Sequence, residues 1–160
     1  MRSRILVLAV AGVIGTCGLG YTAESETVTE VRQAIVEAND YTSDNLKGMP
    51  DTYSKDGALE FWSSGGLLQK VPGNAEPEAY DSFSIRAKHI EVIPLVEGKV
   101  AVAHFYSEGS MKPKGYPAVT HYLTRATQVF VKEDGKWKIR SSHWSAVTGG
   151  SGTTQASLEE

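Results

Sequence analysis

The chain is organised around AVTHYLTRATQVFVKEDGKWKIRSSHWS, residues 118–145. Asp134 and Gly135 lie between two runs of alternating apolar residues, which is the strongest short-range signal for a β-hairpin. A two-residue loop at this pair would mix apolar and charged side chains on both faces of the hairpin. A three-residue loop, with Gly135 in the left-handed conformation, places Val131 opposite Trp137 and separates the two kinds of side chain. We therefore predict the three-residue loop.

The predicted register brings two polar side chains together on the inward face, above the apolar rows. It places Thr127 opposite Ser141 and, one step further, Arg125 opposite His143. Charge is seldom buried unless it is paired or needed for function. We predict that the sheet curves around a cavity whose polar end is formed by Arg125 and His143. The alternative is a structural pair, in which an internal carboxylate holds Arg125 and a backbone carbonyl holds His143.

The same hairpin resembles a known superfamily. The C-terminal hairpin of the nuclear transport factor 2-like superfamily is similar to RATQV at 125–129, EDGKWKI at 133–139 and SHWS at 142–145. Within it, the chain is most similar to SnoaL-like domains and to the association domain of calcium/calmodulin-dependent kinase II. The resemblance implies an α+β, cystatin-like fold, in which a strongly curved antiparallel sheet wraps around N-terminal helices into a cone with a pocket. It implies no single activity, because this fold hosts isomerases, dehydratases, cyclases, transport factors and assembly hubs.

Residues 1–23 have the pattern of a secretory signal peptide. Arg2 and Arg4 precede an apolar run at 5–15 that is too short to span a bilayer as an ordinary helix. The sequence does not define the cleavage site. We expect the mature protein to be periplasmic or secreted. Cys17, the single cysteine, also stands where a lipoprotein is lipidated, but Ile-Gly-Thr before it is a poor lipobox, so membrane attachment through Cys17 is the alternative.

The rest of the chain suits one domain at residues 24–148 and a flexible tail at 149–160, which is rich in Gly, Ser and Thr. Loss of Arg2 and Arg4 with the leader changes the formal net charge from −3 to about −5. No basic stripe is present, so nucleic acid is not an expected partner. A mature chain without cysteine has no disulfide to stabilise it.

An amphipathic helix is predicted at the start of the domain. Thr27 and Glu30 have the spacing of a capping box, with Thr27 as N-cap, and Val31 and Ile35 fall on one helical face. A second, short helix is predicted around residues 51–53.

Two further hairpins are predicted, from 59–62 with 67–71 and from 85–96 with 100–107. In the first hairpin, Trp62 is a candidate wall of the pocket, although a core tryptophan is an equal interpretation. In the second, His104 and Tyr106 face either the cavity or a homodimer interface on the outer face of the sheet.

No strong catalytic motif is present. The sequence lacks a Gly-x-Ser-x-Gly elbow, a phosphate-binding Gly-rich loop and a His-Glu-x-x-His motif. The histidines do not have the spacing of metal ligands, and we expect neither a metal nor a cofactor. They are His89, His104, His121 and His143.

Three functions from different classes remain. The first is a small-molecule binding domain, whose pocket holds an apolar ligand by a carboxylate or carbonyl group. The second is an isomerase, dehydratase or cyclase in which His143 is the acid or base, and the third is an oligomerisation module with a vestigial pocket. We favour binding over catalysis because the sequence shows no acid–base partner for His143. The candidate ligand-binding residues are Arg125, His143, Thr127, Trp62, His104 and Tyr106.

Overall fold

The computed structural model describes residues 24–147, which form one α-helix and six β-strands. The elements are α1 (Glu26–Asn45), β1 (Ala58–Phe61), β2 (Gln69–Val71), β3 (Tyr80–Val96), β4 (Val100–Pro113), β5 (Val119–Glu133) and β6 (Lys136–Ala146). They build one sheet in the order β2-β1-β6-β5-β4-β3, in which β1 and β6 are parallel and all other neighbours are antiparallel. The predicted α+β fold is confirmed, with a sheet that does not close. The predicted signal peptide at 1–23, including Cys17, and the predicted tail at 149–160 lie outside the described residues.

The core lies between α1 and one face of the sheet, which we call the inner face; the opposite face is the outer face. Val31 and Ile35 of the helix are 0% and 5% exposed, as their spacing predicts. Small side chains on β4 let the helix approach the sheet, since Ala101 and Ala103 are both fully buried. The core is completed by Phe105, Ala126 and Phe130.

The start of α1 differs from the prediction. Ser25, not Thr27, is the N-cap residue. The Thr27 hydroxyl instead donates a hydrogen bond to the Glu97 carboxylate at 2.6 Å and accepts one from the Gly98 N–H at 2.8 Å. The predicted capping box is therefore wrong, because Thr27 connects the helix to the turn between β3 and β4.

The short helix predicted around residues 51–53 is also wrong. Asp51 lies in a turn, and Tyr53 forms an isolated parallel bridge with Ile139 of β6. This bridge places Tyr53 beside β6, ahead of β1.

The C-terminal hairpin has a two-residue turn, so its predicted register is wrong. Glu133 pairs with Lys136, and Asp134 and Gly135 both have left-handed φ angles, of 49° and 78°. Further along β6, Arg140 has no partner on β5, because Phe130 pairs with Ile139 and Val129 pairs with Ser141. This bulge shifts the register of the two strands by one residue.

The charged side chains that disfavoured this register have carboxylate partners from distant parts of the chain. On the inner face, Lys132 Nζ lies 2.6 Å from the Glu30 carboxylate of α1, which also accepts a hydrogen bond from Trp137 Nε1 at 2.8 Å. On the outer face, the buried Lys138 forms an ion pair with Asp51 at 2.5 Å. Both faces of the hairpin therefore accommodate charge, because α1 and the loop at Asp51 supply its partners.

The two edges of the sheet are short or irregular. The edge strand β2 has only three residues. The other edge strand, β3, changes its register with β4 three times. One irregularity contains His89, which has a φ of 52°, and another follows Pro94, which has no N–H to donate.

Candidate functional site

Five of the six predicted ligand-binding residues lie together on the outer face: Arg125, Thr127, His104, Tyr106 and His143. Thr127 of β5 lies between His104 of β4 and His143 of β6, and both imidazoles are exposed. The predicted inward orientation of Arg125, Thr127 and His143 is wrong, because the buried residues of β5 alternate with them and face the core: Thr124, Ala126, Gln128 and Phe130. For His104 and Tyr106, the structure agrees with the alternative that placed them on the outer face. Arg125 pairs with Ser145, not with His143.

Trp62, the sixth predicted residue, is separate from these five. It follows the end of β1 and is 38% exposed. The structure therefore gives no enclosed site that contains both Trp62 and Arg125 within the described residues.

The inner face carries a different polar cluster, which we call the inner-face cluster: Tyr53, Glu60, Gln128, Ser142 and Trp144. The parallel pairing of β1 with β6 sets Glu60 level with Ser142, and β5 sets Gln128 opposite the same serine. Tyr53 reaches the row from the bridge ahead of β1. Residues that are far apart in the sequence thus form one polar row across the inner face.

Glu60 is the centre of this cluster. It is 3% exposed, and its carboxylate accepts a hydrogen bond from Ser142 Oγ at 2.6 Å and a longer one from Tyr53 Oη at 3.5 Å. Trp144 Nε1 donates in turn to Ser142 Oγ at 3.3 Å. Within residues 24–147, no lysine, arginine or histidine nitrogen forms a salt bridge with Glu60. A buried carboxyl without a cation is unusual in a protein and points to a functional role.

Burial and hydrogen bonding have opposite effects on the pKa of Glu60, and burial has the larger effect. Burial raises the pKa of Glu60 above its ordinary value of 4.5, although the hydrogen bonds from Ser142 and Tyr53 act in the opposite direction. Burial, and then the nearby Glu60 charge, raises the pKa of Tyr53. The Tyr53 phenol consequently stays protonated and remains a hydrogen-bond donor.

Aromatic rings surround the cluster. Trp144 packs edge-on against Phe105, with ring centroids 5.6 Å apart. Tyr122 lies further along the inner face, with its hydroxyl 3.4 Å from Ser63 Oγ of the β1–β2 connection. Tyr80 is half-buried, and its hydroxyl donates to the carboxylate of its neighbour Glu78 at 2.9 Å. Rings that are partly open to solvent can contact a flat apolar molecule.

Thr124 is a second unusual polar residue on the inner face. It lies opposite Ser107 on β4 and is 3% exposed. Among the residues that the structure describes, its Oγ1 is the one buried side-chain nitrogen or oxygen atom without a hydrogen-bond partner. A buried hydroxyl without a partner costs about 1–3 kcal/mol, which a bound molecule could recover.

Two surface clefts, of about 380 and 410 Å³, share Asp51, Gly73 and Asn74; Tyr53 lines the smaller one, and Glu60 lines neither. Their walls carry both charges, for example Lys136 beside Asp134. They therefore do not favour one class of charged ligand, and we base the site on the buried carboxyl instead.

Metal ligands do not cluster in the described part of the chain, where no group of three or more His, Cys, Asp and Glu could hold an ion. Between residues 24 and 147, no helix is both long enough and apolar enough to cross a membrane.

A family model described as a SnoaL-like domain matches residues 28–149. The chain belongs to the SnoaL-like family. The resemblance seen in the C-terminal hairpin is thereby confirmed. A search of curated proteins gives no significant match to this SnoaL-like domain.

Solved structures show the same fold. An NTF2-like protein of unknown function from Pseudomonas putida has a TM-score of 0.55 and 20% identity, over 80% of this chain and 93% of the other. A putative dehydratase of the NTF2-like family from Streptomyces avermitilis has a TM-score of 0.50 and 20% identity, over 77% and 97%. A putative calcium/calmodulin-dependent kinase II association domain from Exiguobacterium sibiricum has a TM-score of 0.52 and 12% identity, over 79% and 98%. At these identities the likeness concerns the fold alone.

The buried carboxyl makes the stability of the SnoaL-like domain depend on pH. Because the folded pKa of Glu60 is raised, the folded protein keeps this proton to higher pH than the unfolded chain does. Protonated Glu60 therefore stabilises the folded protein below pH 4.5, and this stabilisation is lost as pH rises through the folded pKa of Glu60. We expect Glu60→Gln to melt at a higher temperature than the wild type at neutral pH, with no difference below about pH 4. Thermal unfolding of both proteins across this pH range tests the expectation, and a variant that is less stable at neutral pH contradicts it.

Proposed function

We propose that this SnoaL-like domain binds a small apolar molecule against the inner face of its sheet, with the Glu60 carboxyl as the main polar contact. The observation that carries the proposal is the burial of Glu60 at 3% exposure with hydroxyl donors and no cation partner in the described residues. A carboxyl in this setting costs folding free energy, which is common for groups that serve binding or catalysis.

The hydrogen bonds and the aromatic rings of the inner face determine which class of ligand can bind. Ser142 and Tyr53 both donate to Glu60, so each carboxylate oxygen keeps a further lone pair that can accept a hydrogen bond. The ligand group that fits is a hydroxyl or an amine. An anionic ligand would be repelled by ionised Glu60, which changes the sequence-based expectation of a carboxylate. The rings of Trp144 and Tyr122 favour a flat, apolar body.

The same geometry argues against His143 as an acid or base for a ligand on the inner face. His143 lies on the outer face, where it packs against the Phe61 ring at 5.6 Å between centroids. An enzyme that used the inner face would need Glu60 or Tyr53 for proton transfer instead.

The binding proposal is tested with a matched pair of probes. The full chain is titrated with 2-naphthol, which carries a donor, and with naphthalene-2-carboxylate, which carries an anion, while tryptophan fluorescence is recorded. We expect saturable quenching by 2-naphthol and binding of the carboxylate that is weaker by about tenfold. Glu60→Gln should reduce this preference, whereas Glu91→Gln, which removes an exposed carboxylate from the other face, should not. Equal binding of both probes, or equal effects of the two variants, would refute the proposal.

The outer face supports a second candidate function, which is self-association. Two in-register apolar rows cross β3, β4 and β5 on this face: Ile93, Val102 and Val129, and next to them Val96, Val100 and Val131. Ile93 and Val96 are 51% and 50% exposed. We propose that a second copy of the chain packs on these rows through a two-fold interface. The neighbour described as an association domain is consistent with this use of the fold.

Light scattering tests the self-association. We expect a dimer for the wild type and a monomer for Ile93→Glu. Val36→Glu is the matched control, because Val36 is 42% exposed on α1, away from the rows. A wild-type protein that is monomeric at high concentration, or a control variant that dissociates equally, contradicts the dimer.

We also propose that the domain acts in the periplasm or outside the cell. The support is the leader pattern of residues 1–23, with its basic start and short apolar run. The intact mass of the protein purified from a cell fraction tests it: a mass that includes residues 1–23 contradicts cleavage, and an added lipid on Cys17 would establish the alternative anchor.

A further inference from the structure

The outer face carries two polar rows beside its apolar rows. The first row is Glu91, His104, Thr127 and His143, and the second is Lys88, Tyr106, Arg125 and Ser145. Each row crosses four neighbouring strands, so the order of the side chains is fixed by the pairing of the sheet.

Thr127 is surrounded by a triangle of three side chains: Arg125, His104 and His143. Arg125 pairs with Tyr106 on one side and Ser145 on the other, which makes His104 and His143 its diagonal neighbours. Diagonal neighbours on an antiparallel pair are about 7–8 Å apart. The two histidines are two strands apart, at about 10 Å. A guanidinium side chain can span such distances, so the three donor groups can converge on one small molecule above Thr127.

The hydrogen-bonding capacity of the triangle is largely unused within the chain. His104 is exposed, and its Nδ1 lies 3.0 Å from Thr127 Oγ1, which leaves Nε2 as the ring nitrogen for a ligand. The Arg125 guanidinium makes one hydrogen bond to the described residues, a long one of 3.5 Å to the Ala146 carbonyl. A guanidinium has five N–H donors, and so Arg125 can bind an oxyanion with two parallel hydrogen bonds.

The carboxylates nearby do not neutralise Arg125. Glu108 of β4 is bound to Lys88 of β3 at 2.5 Å, and no salt bridge within residues 24–147 includes Arg125. Glu91 of β3 lies opposite His104 of β4, on the side of β4 that is away from Arg125. His89 adds a third imidazole to this region, with its ring 6.1 Å from that of Tyr106. Arg125 therefore lies beside three imidazoles and has no salt-bridge partner among residues 24–147, in a protein of formal net charge −3.

We propose that Arg125, His104 and His143 together bind a small oxyanion, a phosphate or a carboxylate, over the Thr127 hydroxyl. All three donors come from one chain, and so the site does not depend on the dimer or on the inner-face ligand.

The test follows the histidine ring signals of the full chain by NMR during titration with inorganic phosphate, and separately with acetate, at constant ionic strength. We expect the His104 and His143 signals to shift with one shared, saturable dissociation constant. The stronger of the two anions identifies the preferred oxyanion.

Two variants distinguish anion binding at this site from nonspecific attraction to the positive charges of the protein. Arg125→Gln should weaken binding by about tenfold or more, whereas Arg86→Gln should change it by less than about twofold. Arg86 is the matched control because it is exposed on the same face, opposite Glu108, outside the triangle. Shifts that do not saturate, or equal losses in the two variants, would overturn the proposal without affecting the inner-face site. Unchanged melting temperatures establish that both variants remain folded.

Discussion

Replacement of Phe130 by alanine is expected to lower the free energy of unfolding by about 3–5 kcal/mol. Phe130 is 3% exposed on the inner face, where it lies between Ala101 and Ile139 on the adjacent strands. The truncation would leave a cavity beneath α1, next to the fully buried Val31. Urea denaturation monitored by circular dichroism measures the loss.

The matched control is the next residue on the same strand. Val129 faces outward and is only half-buried, so Val129→Ala should cost about 1 kcal/mol or less. The three-residue loop predicted from the sequence reverses this order, because it places Val129 inside and Phe130 outside. A larger loss for Val129→Ala than for Phe130→Ala would therefore contradict the observed register.

Gly109→Ala is expected to destabilise the protein by about 3 kcal/mol or more. Gly109 of β4 has a φ of 149°, and a Cβ at this position would lie 1.9 Å from the Ser84 carbonyl oxygen of β3. Because that oxygen belongs to the backbone, the clash is relieved only by separating β3 from β4. Thermal unfolding of the variant measures the effect.

Gly98→Ala is the control for the backbone conformation alone. Gly98 has a φ of 66°, but nothing lies within 4 Å of the position that an alanine Cβ would occupy. Its replacement should cost about 1 kcal/mol, which is the ordinary penalty of a left-handed residue with a side chain. Equal losses for Gly98→Ala and Gly109→Ala would show that close packing at Ser84 is not the cause.

Patterns that depend on neighbouring residues predicted α1 and the C-terminal hairpin correctly. The spacing of Val31 and Ile35 located the buried face of α1, and the alternation around Asp134 and Gly135 located the last hairpin. The motifs of that hairpin also identified the family. Each of these features is encoded within one helix or one strand pair, which explains why the sequence alone was sufficient.

The register of the hairpin depends on residues far away in the chain. The prediction assumed that lysine side chains must face solvent. In the structure, Lys132 is held by Glu30, which precedes it by 102 residues, and Lys138 is held by Asp51, which precedes it by 87. No local pattern contains these partners. The rule that charged and apolar side chains lie on opposite faces of a hairpin therefore predicted a three-residue loop where the structure has a two-residue turn.

The inner-face cluster was missed for a related reason. Glu60 alternates with Leu59 and Phe61, a pattern that indicates a polar residue facing solvent between two apolar residues facing the core. Here the alternation is inverted, since Leu59 and Phe61 are 39% and 44% exposed on the outer face. Only the parallel pairing with β6 brings Glu60 to Ser142, and parallel neighbours leave no short-range signal in the sequence.

The irregular β3 strand limits how copies of this chain can meet. Hydrogen-bonded addition of one sheet to another needs an uninterrupted series of outward N–H and C=O groups, and the breaks near His89 and Pro94 remove that continuity. At the opposite end, the three residues of β2 are too few to guide a stable pairing. Open-ended growth into fibres is thus disfavoured, and any assembly of the domain must close through contacts between side chains on its faces.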